Sequence, residues 1–228
     1  TKFETHVLPL KKGKEPDWED IPKEKRKFVE KTLKVPEGVV RIFLEIVSNA
    51  VDNVIASLHA GVDPGKVEIT CDEKTITVKN YGLHIPVKKM GLKGSKNKVK
   101  MVPFEKGMKK PIYPPEFIFG RFRTSSNYDK KVVRYGCGRN GVGAKITNLY
   151  SHRFKVTVED PDTQMKFVGV WKDNFFKDCE EGEGKPDIKV TNREGKVKRG
   201  CVFVEWDLDF ERFKMKKYTK DVIDYFAK

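Results

Sequence analysis

Glu45, Asn49, Asp52 and Asn53 stand at relative positions 0, 4, 7 and 8. At about 100° per residue this spacing lays them along one face of a helix. Phe43, Leu44, Ile46, Val47, Ala50, Val51, Val54, Ile55 and Leu58 cover most other directions, leaving little polar surface for a helix that merely faces water, which is the plain alternative. The stripe holds only short acids and amides, with no Lys or Arg at its centre. Such oxygen donors suit a hydrated magnesium ion carrying phosphate, and because magnesium takes only one or two protein oxygens, the Asn49 amide suffices as a ligand. Glu45, one turn earlier, is placed to orient or deprotonate a water attacking a terminal phosphate.

A second constellation is Gly136-Cys-Gly138-Arg139-Asn140-Gly141-Val142-Gly143-Ala144-Lys145. Glycines let backbone N–H groups approach an anion closely, the helix that follows directs its own unpaired N–H groups at the same place, and Lys145 adds a point charge. The run also contains GxGxxG at 136, 138 and 141, with Glu159 at a fitting distance for a ribose contact, so a nicotinamide or flavin enzyme is the rival reading. It lacks that motif's setting, because it does not close the first strand of a βαβ unit. Neither is it a Walker loop, since Ile146 stands where Ser or Thr should meet magnesium. A plain flexible glycine loop is the remaining alternative.

The elements that must position these residues follow from periodicity. Residues 38–59 carry the strongest helical pattern, between Pro36 and Gly61. Val67, Ile69 and Cys71, then Ile76 and Val78, alternate about a polar turn at Asp72–Lys74 and predict a β-hairpin. Tyr113–Arg123 reads as a short helix entered through Pro114 and Pro115, and Ala144–Tyr150 as another. Beyond Phe154 the pattern turns to period two, at Phe154, Val156 and Val158, at Met165, Phe167 and Trp171, at Ile188 and Val190, and over Cys201–Trp206. A loop is expected between Asp178 and Asp187, and a charged helix over Lys217–Lys228. Residues 1–37 read as a polar arm with a short helix at Lys23–Leu33. Hairpin-joined strands with helices bunched in the first two-thirds predict an α+β fold, helices stacked on one face of a mostly antiparallel sheet.

The chain has 228 residues, enough for one substantial core, and one domain is expected over 38–228. No apolar run approaches the roughly 20 residues of a membrane span, so no membrane partner is expected. Cys71, Cys137, Cys179 and Cys201 form no CxxC pair, which argues against zinc or redox chemistry and for reduced thiols inside a cell. A formal charge of +14 predicts a polyanionic partner. Nine lysines lie between Lys88 and Lys110 against the single acid Glu105, and this segment is expected to be a mobile basic loop that contacts a DNA backbone.

Four strings share one order and spacing: Glu45-Ile-Val-Ser-Asn49-Ala-Val-Asp52-Asn53, Asn80-Tyr-Gly82-Leu-His-Ile85-Pro86, Thr124-Ser125-Ser126-Asn127-Tyr-Asp129 and Gly138-Arg-Asn-Gly-Val-Gly-Ala-Lys145. Together they resemble the ATPase domain of eukaryotic-type DNA topoisomerase II, and Pro114–Gly120 and Phe210–Met215 extend the resemblance from about Val35 to the C-terminus. It implies the Bergerat (GHKL) fold, a two-layer α/β sandwich with ATP and Mg2+ between helices and sheet. Carried over by position, Glu45 is similar to the general base, Asn49 to the magnesium ligand and Asn53 to a further nucleotide contact. Asn80 occupies the adenine-reading place, and its parity with Ile76 and Val78 agrees with an inward amide. Ile85, Ile118 and Phe119 would flank the base. Ser125, Ser126 and Asn127 resemble contacts to ribose and phosphate, although Ser-Ser-Asn is also an ordinary turn or cap. Arg139, Asn140, Gly141, Val142, Gly143, Ala144 and Lys145 resemble the triphosphate cradle.

The chain departs from the pattern at Tyr81 and His84, where an amide and a glycine are usual, in a longer and more basic segment over 88–112, and in its N-terminal arm. These departures suggest a large DNA virus or a protist. The transducer and DNA-cleavage strings have no counterpart, so the resemblance implies the ATP-hydrolysing part of a longer isomerase. That enzyme would be homodimeric, act on double-stranded DNA, and lie inside the cell in a nucleus, viral factory or virion. A nucleotide-sensing or DNA-clamping module without significant ATPase activity is the other reading the motifs allow.

Overall fold

The structure, a computed structural model, describes residues 2–7, 27–32, 34–90, 92–95, 98–101, 111–121, 142–175, 186–192, 195–196 and 198–227. Its longest element is helix α1, Glu37–His59. Pro36, extended at φ −61°, sets the entry, and after Ala60 the chain leaves through Gly61 at φ +68°, a conformation that favours glycine. Val39, Val40, Ile42, Phe43, Ile46 and Ala50 are buried along it, so this helix supplies one layer of the core.

The other layer is a six-stranded sheet in the order β3-β4-β10-β7-β8-β9, antiparallel in every pairing. β3 (Glu68–Cys71) and β4 (Thr75–Gly82) form the expected hairpin, its turn closed by Asp72 accepting hydrogen bonds from the Lys74 and Thr75 N–H groups. β7 (Ser151–Asp160), β8 (Met165–Lys172) and β9 (Asp187–Asn192) make a meander. β10 (Gly200–Leu208) inserts between β4 and β7. Alternation turns Ile76, Val78, Phe154, Val156, Val158, Val202, Val204 and Trp206 to the helix side, all 7% exposed or less. With every pair antiparallel, no βαβ unit exists among the described strands, which removes the setting a dinucleotide fold requires.

Between β4 and β7 the chain forms α2 (Pro114–Gly120) and α3 (Gly143–Leu149), and it finishes with α4 (Lys220–Ala227). Phe226 of α4 stacks on Phe43 of α1 at 4.2 Å between ring centroids. Thr147 of α3 donates from Oγ1 to the Ile42 carbonyl of α1 at 3.2 Å, which sets the spacing of these two helices. The expected fold class, helices stacked on one face of an antiparallel sheet, is the observed one.

Two local expectations differ. The segment expected as a helix at Lys23–Leu33 contains instead a strand, β2 (Lys27–Thr32), paired antiparallel with β1 (Lys2–Val7). Phe28, Val29 and Thr32 are aromatic or β-branched, and so short a run cannot be separated from a helical turn by periodicity. The basic segment, expected as a loop, contains a hairpin of β5 (Leu92–Ser95) and β6 (Lys98–Met101), with an isolated bridge between Met90 and Ile112. Here the lysines mask the alternation that marks a strand. α2 is shorter than Tyr113–Arg123 because Arg121 is already extended. Most of the loop expected at 178–187 lies outside the described residues.

Candidate nucleotide site

The two constellations read from the sequence meet. Glu45 lies on α1 and Gly143 opens α3, and a β-carbon added to Gly143 would stand 2.0 Å from Glu45 Oε2 and 3.1 Å from Glu45 Cβ. The carboxylate therefore rests on the backbone where the glycine run enters its helix, an approach only a residue without a side chain permits. Arg41, one turn before Glu45, pairs with it through Nη2 at 2.6 Å. The Glu45 side chain keeps 23% of its surface exposed, so solvent reaches the acid. Gly143→Ala is expected to push Glu45 aside and to destabilise the chain by about 1–3 kcal/mol, the ordinary cost of overpacking. A denaturant midpoint unchanged from wild type would refute that contact.

Along the rest of the stripe the residues divide. Asn49 is exposed and Asp52 half-buried. Asn53 turns to the protein, its Nδ2 donating to the Leu83 carbonyl at 2.9 Å. Ser57, one turn further, is fully buried; its Oγ donates to the Asn53 carbonyl at 2.7 Å and accepts from the Leu83 N–H at 2.8 Å. Gly82 makes room for that hydroxyl: it sits at φ +108°, and a β-carbon there would lie 2.3 Å from Ser57 Oγ. Asn53 and Ser57 thus clamp the exit of β4 to α1 and fix the segment carrying Ile85. Asn80 faces inward on β4, opposite Val202, and is 6% exposed. Ile85 and Ile118 are half-buried against the core, whereas Phe119 is 7% exposed and packs on Phe154 at 6.3 Å. Of the two aromatic or aliphatic side chains expected from α2, Ile118 is the one left partly open.

At α3, Val142 is half-buried and Ala144 is 6% exposed. Lys145 is only 2% exposed, and burial pushes its amine down to about 8. An anion beside a buried amine offsets part of the cost of burying its charge. Ser125, Ser126, Asn127, Arg139, Asn140 and Gly141 lie outside the described residues.

His84, at the end of the β4 exit, reaches the β7–β8 turn. Its Nε2 lies 3.4 Å from Asp160 Oδ1 and 3.2 Å from Asp162 Oδ2. The three groups have metal-ligand chemistry, but Asp160 already accepts four hydrogen bonds from the protein. Its Oδ2 accepts from the Val87 N–H and the Thr163 hydroxyl, and its Oδ1 from the Asp162 and Thr163 N–H groups. Burial pushes the Asp160 carboxyl up, yet these bonds outweigh it and hold the group below its ordinary range. The cluster is a clasp. Gly200 makes it possible, since a β-carbon there would meet His84 Cβ at 2.3 Å. Tyr81, the other departure, faces the opposite side of the sheet from Asn80, by strand parity.

Arg41, Ser57 and Thr147 were not singled out from sequence. Arg41 could have been found as the i−4 partner of Glu45. Ser57 and Thr147 gave no local signal, because their partners are set by how the helices pack.

A profile described as histidine kinase-, DNA gyrase B- and HSP90-like ATPase matches residues 34–204. The chain belongs to this ATPase family. Membership of this ATPase family implies ATP binding. Among characterised relatives, this ATPase chain is 35% identical over 202 residues to a DNA topoisomerase 2 of Invertebrate iridescent virus 6, an alignment covering 88% of the chain and 16% of the relative. Among solved structures it resembles the ATPase region of Saccharomyces cerevisiae topoisomerase II, at 29% identity and a TM-score of 0.67, covering 90% of the chain and 47% of that one. It also resembles the ATPase and transducer domains of topoisomerase II from Balamuthia mandrillaris, at 28% identity and a TM-score of 0.69, covering 90% and 46%. The chain thus spans about a sixth of the viral relative's length.

Proposed function

We propose that this chain is the ATP-binding and hydrolysing N-gate domain of a type IIA DNA topoisomerase, coupling the binding and hydrolysis of magnesium-ATP to capture and passage of a DNA duplex. The observation that carries the reading is the seating of Glu45 against Gly143, which joins an acid to a phosphate-binding helix start. The likeness to the topoisomerase II ATPase regions supports it. Magnesium, when bound, neutralises charge on the phosphates, and the donors present fit it: Asn49 offers an exposed amide oxygen one turn from Glu45.

Glu45 is the general base in this reading and takes a proton from the attacking water. Asn80 reads the adenine edge, Ile85 and Ile118 flank the base, and Phe119 backs them from the core. Asn53 acts on the nucleotide end by holding Leu83. Val142, Gly143, Ala144 and Lys145 hold the phosphates, joined by Arg139, Asn140 and Gly141, with Ser125, Ser126 and Asn127 on the ribose side, by position in the motifs. The full enzyme is a homodimer acting on double-stranded DNA inside the cell, in a nucleus or a viral factory. No described helix is long and apolar enough to cross a membrane.

Thermal melting tests the reading directly. Magnesium-ATP at one hundred times its Kd is expected to stabilise the chain by about 2.7 kcal/mol, as mass action requires for a ligand of the folded state alone. In Asn49→Ala the magnesium-dependent part of this shift should vanish. A shift with a dinucleotide and none with ATP would reject the assignment.

A further inference from the structure

We propose that the chain has a second polyanion site, on the outer face of the sheet beside the end of β4, which takes the backbone phosphates of a DNA duplex. The choice of duplex DNA rests on the topoisomerase reading; the site itself rests on geometry. Strand parity turns Asn80 toward the helices and Lys79 and Tyr81 away from them. On that outer face Lys79 and Tyr81 join Lys66, Lys196, Lys198 and Arg199 around a concavity of about 770 Å³. It lies across the sheet from the candidate nucleotide site.

Two chain segments meet at the concavity. Gly65 sits at φ +62°, and a β-carbon there would lie 2.9 Å from an Arg199 guanidinium nitrogen and 3.7 Å from Tyr81 Cβ. The positive φ at Gly65 favours glycine, and the turn it makes brings the segment before β3 beside the Arg199 side chain. Among the described residues, the walls carry five cations and a single carboxylate, Glu159. Lys66 is neutralised by Glu68 at 2.5 Å, Arg199 by Asp63, and Glu159 faces Lys166 at 3.9 Å. Lys79, Lys196 and Lys198 have no ion-pair partner among the described residues. Lys79 instead lies over the Tyr81 ring at 4.9 Å, and a hydrogen bond to Tyr81 raises its amine above the ordinary range. These cations sit on both lips of the concavity, on the β3–β4 side and on the segment leading into β10. A long, evenly charged backbone can satisfy both lips at once. Lysines are mobile point charges that hold phosphate without reading bases, so the contact is independent of sequence.

The test is the salt dependence of binding to a short labelled duplex, followed by fluorescence anisotropy. For Lys196→Ala/Lys198→Ala the slope of log K against log salt should shrink by about 1.8, close to 0.9 for each phosphate that the variant no longer neutralises. Lys214→Ala/Lys216→Ala, which alters exposed lysines elsewhere, should leave the slope at its wild-type value. An unchanged slope in the first pair overturns the proposal, and so does an equal drop in both pairs. Displacement of the duplex by inorganic tripolyphosphate at matched charge, as readily as by unlabelled duplex, would also overturn it and leave a small-anion site. Melting shifts with magnesium-ATP on the same variants separate the two readings. A retained shift shows the fold and nucleotide site intact, whereas a wild-type chain without that shift, but with the expected slopes, would sink the ATPase reading and leave this one standing.

Discussion

Glu45→Gln is expected to lower the rate of ATP hydrolysis by about a hundredfold to ten-thousandfold, the range associated with removing a positioned general base. Nucleotide affinity should stay within about threefold, because glutamine keeps the shape that rests on Gly143 and loses only the ability to take a proton. The substitution also removes the charge that Arg41 pairs with at 2.6 Å. That pair is i,i+4 and Arg41 is 73% exposed, so its loss should cost no more than about 0.5 kcal/mol. Single-turnover phosphate release and ATP binding, measured on the same preparation, check both halves. Turnover equal to wild type would remove Glu45 from the chemistry. A large loss of affinity with little change in turnover would make it a positioning group.

Lys145→Met should move stability and binding in opposite directions. Burial has pushed the Lys145 amine from 10.5 to about 8, so the folded chain carries its positive charge at a cost. Below pH 8 both folded and unfolded chains hold the proton, and the cost is constant. Between about pH 8 and 10.5 the unfolded chain still holds it while the folded chain has released it, so stability rises with pH by about 3 kcal/mol across that window. Methionine, of similar length and without charge, should raise the melting temperature at pH 7 and flatten this pH dependence. It should also weaken ATP binding by about tenfold to a hundredfold, the worth of a hydrogen bond to a charged group. In the wild type, phosphate binding restores the proton. Affinity should then fall as pH climbs above 8, with proton uptake visible as a buffer-dependent heat of binding. A Lys145→Met chain that is less stable at pH 7, or a wild-type affinity flat from pH 7 to pH 9, would show that the amine is not held in this way.

The contacts of His84 and Tyr81 serve the fold and the outer face of the sheet. The His84 side chain is accommodated by Gly200 across the sheet and lies against the β7–β8 turn. Tyr81 faces away from Asn80 and forms a wall of the outer face.

Local periodicity alone determined a good part of this molecule. The stripe on α1, the β3–β4 hairpin, the inward parity of Asn80 and the α+β class were all legible, because each depends on neighbours within a few residues and on side-chain direction along one element. The strand at 27–32 and the hairpin within the basic segment were not, since short runs interrupted by lysine carry no clear period. Tertiary structure alone decided that Glu45 meets Gly143, that Asn53 and Ser57 hold the chain after β4, and that β10 lies between β4 and β7 to close a concavity on the far face. Those contacts join residues tens of positions apart. Their geometry is set by which strands become neighbours and how closely two helices approach, and a one-dimensional pattern holds no record of either distance.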